Sequence, residues 1–251
     1  MLTRRIIPCL DCRDGRVVKG VRFTGLREVG SPVQCAAAYE AQGADELLLL
    51  DVSATPDGRA HQVETVCAVR AVLSIPLTVG GGVRSLDDVR MLLDVGADKV
   101  AVNTAAVRDP LLIECLARQF GSQCTVLAVD AARNGGSGWS VVVQSGRQRT
   151  ELDAVAWCRE GALRGAGEIL LTSWDRDGTR SGYDLELLAA VAGAVTVPVI
   201  ASGGAATPDH LREALQAGAD AVLAASIFHE SDYTVAEVKN HLAGHGIEVR
   251  R

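Results

Sequence analysis

The sequence contains the same block twice, with corresponding residues 122 positions apart. The first copy begins at Pro76 and reads PLTVGGGVRSLDDVRMLLDVGADKVAVNTA. The second begins at Pro198 and reads PVIASGGAATPDHLREALQAGADAVLAASI. The likeness continues upstream, where the segment that starts at Gly43 matches the one that starts at Gly165. A fixed internal period is typical of a repeated structural unit, so the chain is predicted to consist of two homologous halves.

Short apolar runs alternate with helical patterns along the whole chain. The predicted strands are Arg5–Leu10, Glu46–Leu50, Leu77–Val79, Lys99–Val102, Thr125–Val129, Glu168–Leu171, Val199–Ala201 and Ala221–Ala224. The predicted helices are Val33–Gln42, Gln62–Val72, Leu86–Val95, Leu111–Gln119, Leu152–Arg164, Leu185–Ala192, Pro208–Ala217 and Val235–Ala243. Four glycines (Gly43, Gly96, Gly165 and Gly218) stand where helix C-caps are expected.

Eight strand–helix units without a Pro- or Ser-rich linker predict one (β/α)8 barrel domain over residues 1–251. A doubly wound open sheet is the alternative. The repeat favours the barrel, because two halves of four units close naturally into a ring of eight. The apolar fraction of 48% with only 4% aromatic residues is expected of a parallel sheet covered on both faces.

Charge and composition argue against several classes of protein. A net charge of −6 without a basic stripe argues against nucleic-acid binding. No stretch approaches the ~20 apolar residues of a membrane span, and the N-terminal apolar run is too short for a signal peptide. We therefore expect a cytoplasmic protein that contacts no membrane. Seven cysteines without zinc-site spacing are expected to be reduced core residues. The loop that begins at Asp175 resembles a calcium loop but lacks its later bidentate Glu, so we expect no metal and no cofactor.

Two carboxylates follow equivalent strands in the two halves: Asp11 comes after IIPCL, and Asp130 comes after TVLAV. Barrel active sites lie at the C-terminal ends of the strands, so the two are expected to face each other across the barrel mouth. A single Asp there could simply cap a turn. A symmetric pair between two phosphate-binding segments indicates general acid–base catalysis.

Each copy of the repeat offers two kinds of phosphate contact. One is a Gly-Gly turn after a strand, and the other is a pair of small or polar residues after the next strand. These residues are Gly81, Gly82, Asn103, Thr104, Gly203, Gly204, Ala225 and Ser226. Gly-Gly turns let the backbone approach an anion closely, and hydroxyl and amide side chains add donors. One such turn is weak evidence, whereas two copies predict a small-molecule substrate with a phosphate at each end.

Two longer connections could cover such a site. The segment from Arg13 to Ser31 is long for a strand–helix connection and is predicted to be a mobile lid that carries Lys19. The segment from Arg133 to Thr150 is predicted to form a β-hairpin.

The segments IIPCLDCRDGRVVKG, TVGGGVRS, GADKVAVNTAAV and GAGEILLTSWDRDGTRSGYD resemble the cyclase subunit of imidazole glycerol phosphate synthase. The likeness runs essentially end to end. It implies a lyase of histidine biosynthesis that uses ammonia to convert a bisphosphorylated ribulosyl aminoimidazole carboxamide (PRFAR). The products would be imidazole glycerol phosphate and the aminoimidazole carboxamide ribotide (AICAR).

The resemblance also implies roles for individual residues. Asp11 matches the principal general acid–base of the family, Asp130 its second catalytic carboxylate and Lys19 its lid lysine. Asp177 and Gly178, in the DRDGT loop, would join the substrate-binding residues.

A ring of charges at the opposite end of the barrel matches the family's ammonia gate, and its members are Arg5, Glu46, Lys99 and Glu168. A salt-bridge layer that only closes the barrel is the alternative interpretation. Asp45 and Asp98 resemble positions where a partner docks. The implied partner is a glutamine amidotransferase (glutaminase) subunit on the N-terminal barrel face, which would supply the ammonia.

The sequence departs from the family pattern in a few places, and two other functions compete. Glu151 stands where Gly is usual, Cys12 where Val is common, and Gln144 and Ser145 keep only part of the usual hairpin sequence. The isomerase of the same pathway shares the half-barrel repeat, the paired Asp residues and a bisphosphate substrate. A non-catalytic phosphate-binding scaffold is the other alternative. The GRVVKG lid, the DRDGT loop and the charged ring favour the cyclase.

Overall fold

The computed structural model describes residues 3–21, 24–58 and 61–250, and its centre is a closed ring of eight parallel strands. The strands of the protein are β1 Arg5–Arg13, β2 Arg16–Val21, β3 Thr24–Gly30, β4 Leu47–Asp51, β5 Leu77–Gly80, β6 Lys99–Val102, β7 Thr125–Arg133, β8 Trp139–Val143, β9 Gln148–Asp153, β10 Glu168–Ser173, β11 Val199–Ser202 and β12 Ala221–Ala224. The ring runs β1–β4–β5–β6–β7–β10–β11–β12 and closes where β12 pairs with β1.

Helices follow the ring strands and cover the outside of the barrel. They are α1 Pro32–Ala41, α2 Ala54–Asp57, α3 Val63–Arg70, α4 Leu86–Asp94, α5 Thr104–Arg108, α6 Leu111–Phe120, α7 Ala154–Leu163, α8 Leu185–Ala192, α9 Pro208–Gln216, α10 Ser226–His229 and α11 Val235–Gly244. The (β/α)8 prediction is confirmed, and the open-sheet alternative is excluded by the closed ring of strands.

Alternation along each strand produces two apolar clusters. Side chains at successive positions point to opposite faces, so every second residue points into the barrel. The interior cluster contains Ile7, Cys9, Leu48, Ala101, Val126, Leu170, Ile200, Ala221 and Leu223. A larger cluster fills the space between the strands and the helices. Cys9 belongs to the interior cluster and Cys12 to the outer one, as expected for side chains that leave a strand in different directions.

Local signals explain where several helices begin and end. Ser85 and Asp88 form a capping box at the start of α4, and Thr234 and Glu237 form another at the start of α11. Each of the four glycines singled out in the sequence lies one residue beyond the C-cap of its helix and has a positive φ. That backbone conformation disfavours other residues, which is why glycine ends these helices.

In each half, an antiparallel hairpin extends the first ring strand, which is β1 in one half and β7 in the other. β2 pairs antiparallel with β1 and with β3, and β8 pairs antiparallel with β7 and with β9. The hairpin predicted from Arg133 to Thr150 is confirmed. The segment from Arg13 to Ser31, predicted to be a mobile lid, forms a hairpin in its described part. Residues 22 and 23 of that segment lie outside the described residues.

Three further expectations need correction. Glu46 precedes β4 and does not begin it, since the strand starts at Leu47. The helix expected from Leu152 starts at Ala154, because β9 continues to Asp153, whose side chain accepts a hydrogen bond from the Ala156 N–H and caps the helix. The cysteines are not all in the core: the described chain has no disulfide, and Cys67 and Cys115 are exposed on the outer helices.

Within the described residues, no helix combines the length and the apolar character that crossing a membrane requires.

Two helical glycines provide a matched test of the packing between barrel and helices. A Cβ on Gly161 would lie 2.2 Å from Cδ2 of the fully buried Leu127, whereas a Cβ on Gly244 would meet nothing within 4 Å. We expect Gly161→Ala to lower the free energy of unfolding by about 1–3 kcal/mol through overpacking. Gly244→Ala should raise it by up to about 1 kcal/mol through helix propensity. Urea unfolding measures both changes in free energy. A Gly161→Ala variant that is more stable than the Gly244→Ala variant would contradict the described packing.

Candidate active site

The carboxyl ends of the ring strands surround a cavity of about 650 Å³. Its wall contains every residue that the sequence predicted for catalysis or substrate binding. These residues are Asp11, Lys19, Gly81, Gly82, Asn103, Thr104, Asp130, Asp177, Gly178, Gly203, Gly204, Ala225 and Ser226. Segments from both halves of the chain therefore meet at one end of the barrel. The roles assigned to the individual residues stay predictions.

Asp11 is buried and is held from two sides. The thiol of Cys9 donates a hydrogen bond to Oδ1 at 3.2 Å, and the ammonium group of Lys19 lies 3.8 Å from Oδ2. Cys9 and Asp11 are two positions apart on β1, so both side chains point into the barrel. Burial lowers the pKa of Lys19, but the attraction of Asp11 and Asp177 outweighs that effect and the pKa is raised. Lys19 thus stays protonated beside Asp11.

A half-buried histidine fixes the backbone next to Asp11. His229 at the end of α10 contacts the carbonyl oxygen of Cys9 through Nε2 at 2.9 Å and the hydroxyl of Tyr39 through Nδ1 at 2.5 Å. Burial lowers the pKa of His229, so the ring is neutral near pH 7. A carbonyl only accepts, so Nε2 carries the proton and Nδ1 accepts from the tyrosine. This network ties the helix of the C-terminal repeat to the strand that carries Asp11.

Asp130 has a different environment. Asn103 donates a hydrogen bond from Nδ2 to Oδ2 of Asp130 at 3.0 Å, and Thr172 bonds to the same carboxyl group. Burial, and then the negative charge of Asp177, raise the pKa of Asp130 to about 7, although the two hydrogen bonds oppose the shift. A carboxyl group with a pKa near neutrality can both accept and release a proton, which general acid–base catalysis requires.

The two Gly-Gly turns have matching backbone geometry. The φ angles are 91° and 74° at Gly81 and Gly82, and 93° and 101° at Gly203 and Gly204. A Cβ on Gly81 would lie 2.1 Å from the carbonyl oxygen of Asp51, and one on Gly204 would lie 2.2 Å from that of Gly182. Only glycine fits there, so both turns expose bare backbone to the cavity.

The short helices α5 and α10 also correspond. Their N-caps, Asn103 and Ala225, have φ/ψ values of −126°/−87° and −122°/−68°, and neither side chain caps its helix. The first N–H groups of a helix attract anions, particularly where no side chain occupies them. Each half therefore combines a Gly-Gly turn with a helix start at the cavity wall, an arrangement suited to a phosphate.

The DRDGT loop is fastened to neighbouring segments. Arg180, which has a φ of 60°, forms ion pairs with Glu230 and Asp232. Glu230 also pairs with Arg27 of β3 at 2.5 Å. The β2–β3 hairpin, the loop after β10 and the segment after α10 are therefore linked at the rim of the cavity.

Two of the residues that depart from the family pattern lie at this rim too. Gln144 and Ser145 form the β8–β9 turn with φ angles of 56° and 53°, and both line the cavity. The N–H of Gln144 donates to Oγ1 of Thr104 at 3.0 Å. Glu151 is exposed on β9. The turn thus contacts the cavity wall with a strained backbone.

Four charged side chains cross the opposite end of the barrel axis. Arg5 contacts Glu46 at 2.7 Å and Glu168 at 2.5 Å. Lys99 contacts the same carboxylates at 3.0 and 2.9 Å. Burial lowers the pKa of Arg5, but the two carboxylates outweigh it and raise that pKa. The predicted charged ring is a closed circuit in which each acid touches both bases.

The two predicted docking residues have different surroundings. Asp45 is only 6% exposed and bonds to the N–H of Ile6 and the ammonium group of Lys239. Its carboxylate supports the fold and is not free to contact a partner directly. The side chain of Asp98 is 50% exposed and pairs with Arg70. The docking prediction therefore rests on Asp98.

Sequence reasoning missed Cys9, Tyr39, His229 and Thr172. The two-residue spacing of Cys9 from Asp11 was a usable signal, since it places both side chains on one face of a strand. Tyr39 and His229 are 190 positions apart, so only the folded chain shows their contact.

A (β/α)8 barrel with carboxylates at the C-terminal mouth has the architecture of a barrel enzyme. A family model described as histidine biosynthesis protein matches residues 5–234. The chain belongs to this family. Both the cyclase and the isomerase of the pathway are members, so membership does not separate the two.

The raised pKa of Asp130 makes stability depend on pH. The pKa is about 3.9 in an unfolded chain and about 7 in the fold, so the folded state binds the proton more tightly. Stability is therefore lost as pH rises from 4 through 7. We expect Asp130→Asn to raise the free energy of unfolding at pH 8 by about 1–3 kcal/mol, with little gain at pH 4.

Urea unfolding at pH 4, 6 and 8 measures this difference. Asp14→Asn is the matched control, because the Asp14 side chain is 73% exposed in a turn beside β1. If the free energies of unfolding of Asp130→Asn and wild type differ by the same amount at every pH, the described environment of Asp130 is wrong.

Proposed function

We propose that the protein is the ammonia-using cyclase of its family, which converts PRFAR into imidazole glycerol phosphate and AICAR. A substrate with a phosphate at each end is supported by the cavity lining, because a Gly-Gly turn and a short helix start from each half line the same cavity as Asp11 and Asp130. The observation that carries the choice of cyclase is the charged circuit on the barrel axis. Isomerisation of a sugar needs no second substrate, whereas a cyclase that takes up ammonia needs a controlled passage to the carboxylates.

The chemistry requires repeated proton transfers. Ammonia adds to the ketose carbonyl and water leaves. The nitrogen that came from ammonia then attacks the formimino carbon, the bond from that carbon to the amino nitrogen of AICAR breaks, and the imidazole ring closes. Asp11, beside the ammonium group of Lys19, is positioned to exchange protons with the ketose and with the attacking nitrogen. Asp130, with its pKa near 7, would supply and recover a proton at the other end of the reacting region.

The partner proposal follows from the source of ammonia. A glutaminase subunit docked on the N-terminal barrel face would release ammonia beside Arg5, Glu46, Lys99 and Glu168. The interior side chains between that ring and the cavity include Ala101 and Ala221, which are small. Breaking one ion pair of the ring would open a passage along the barrel axis. The alternative, that the ring only stabilises the barrel, predicts effects on stability alone.

Asp11→Asn tests the catalytic proposal. With PRFAR and saturating ammonium ions, we expect the wild-type chain to form imidazole glycerol phosphate and Asp11→Asn to lose at least about 10³-fold in kcat, within the range of general acid–base effects. Asp14→Asn on the neighbouring exposed turn should retain wild-type turnover. Liquid chromatography of the products measures both. Conversion of the ribosyl isomer of PRFAR into PRFAR without ring closure would identify the isomerase, and no turnover of either compound by wild type would support the scaffold.

Lys99→Met tests the gate. It removes one base from the circuit, so the gate no longer closes and ammonia from the glutaminase escapes before it reaches the carboxylates. We expect turnover with glutamine plus the glutaminase to fall several-fold while turnover with saturating ammonium stays within about twofold. Arg90→Met, in the exposed pair with Asp87, is the control and should change neither rate. Equal losses with both nitrogen sources, together with lower stability, would support the purely structural interpretation of the ring.

A further inference from the structure

A second cluster of chemically active side chains lies outside the cavity, on helices α9 and α11. Asp209 is in the first turn of α9, His241 is in the last turn of α11 and His245 is its C-cap. One ligand atom from each lies within 4.8 Å of the other two. Among the described residues, these three side chains form a group that could hold a metal ion.

The two histidines have the geometry of a helical metal-binding pair. Residues four apart lie on one face of a helix, and the ring centroids of His241 and His245 are 4.4 Å apart. Nδ1 of His245 is 2.8 Å from the carbonyl oxygen of His241. Since a carbonyl only accepts, Nδ1 holds the proton and Nε2 of His245 keeps its lone pair. A backbone partner that fixes the tautomer in this way is typical of metal-binding histidines.

Asp209 supplies the third ligand of the set. Nε2 of His241 is 3.1 Å from Oδ1 of Asp209. Two ligand atoms of a tetrahedral zinc ion are separated by about 3.3 Å, from bond lengths of about 2.0–2.1 Å. Arg212 contacts the same oxygen at 3.0 Å and holds the carboxylate beside His241.

We propose that Asp209, His241 and His245 form a surface site for a divalent transition-metal ion of the zinc type, which joins α9 to α11. Two imidazoles and one carboxylate suit zinc, nickel or copper, whereas magnesium and calcium prefer oxygen ligands alone. The side chains of His241 and Asp209 are 30% and 53% exposed, so water completes the coordination. Nε2 of His241 would bind the ion with the ring proton on Nδ1, so that the ligand is a neutral imidazole.

Zinc titration of the full chain tests the site. After treatment with a chelator, calorimetry with ZnCl2 should show one ion per chain with a dissociation constant on the order of 1 μM, and MgCl2 should give no saturable heat. Zinc should also raise the melting temperature by about 2–4 °C, because it binds the folded chain preferentially. His245→Ala and Asp209→Asn should each weaken binding at least about tenfold.

His210→Ala is the matched control. His210 follows Asp209 on α9, but its Nδ1 accepts from the N–H of Ala206. This variant should bind zinc like wild type. Cobalt(II) absorption in the visible range gives a second readout that does not depend on stability. No saturable binding below about 100 μM zinc, or binding unaffected by His245→Ala, would overturn the proposal.

Discussion

Closure of the strand ring turns every second side chain of each strand into the barrel axis, and the rest of the molecule depends on this constraint. Along β1 the inward side chains are Arg5, Ile7, Cys9 and Asp11, in that order. One strand therefore contributes to the charged circuit, to the apolar interior and to the cavity wall. The same alternation stacks the three layers on one axis. The charged ring and the two carboxylates therefore lie at opposite ends of one axis, with the apolar interior cluster between them.

Duplication provides a symmetric frame in which the chemistry has diverged. Asp11 on β1 and Asp130 on β7 occupy equivalent strands, and an antiparallel hairpin extends each strand. Their surroundings differ, however. Asp11 is held by a thiol and an ammonium group, whereas Asp130 is held by an amide beside another carboxylate. Two carboxylates in unlike environments suit a reaction that needs separate proton donors and acceptors.

Much of this arrangement could be predicted from the sequence because it follows from local patterns. Strand alternation and the repeat located the ring, the Gly-Gly turns and Asp11 and Asp130. The start of α7 was misplaced because β9 pairs with β8 through Asp153, which is a tertiary effect. Asp45 was predicted to be a docking residue, but in the fold its carboxylate binds the ammonium group of Lys239. Contacts between distant residues, such as Tyr39 with His229, carry no signal in a single sequence.

We propose that the two halves hold the two ends of one bisphosphorylated substrate across the carboxylates. The most direct measurement is a crystal structure of Asp11→Asn, which should be unable to turn over, with PRFAR bound. We predict one phosphate against Gly82 and Thr104, the other against Gly204 and Ser226, and the ketose carbonyl beside residue 11. Both phosphates in one half, or a ligand bound away from the two Gly-Gly turns, would contradict the account.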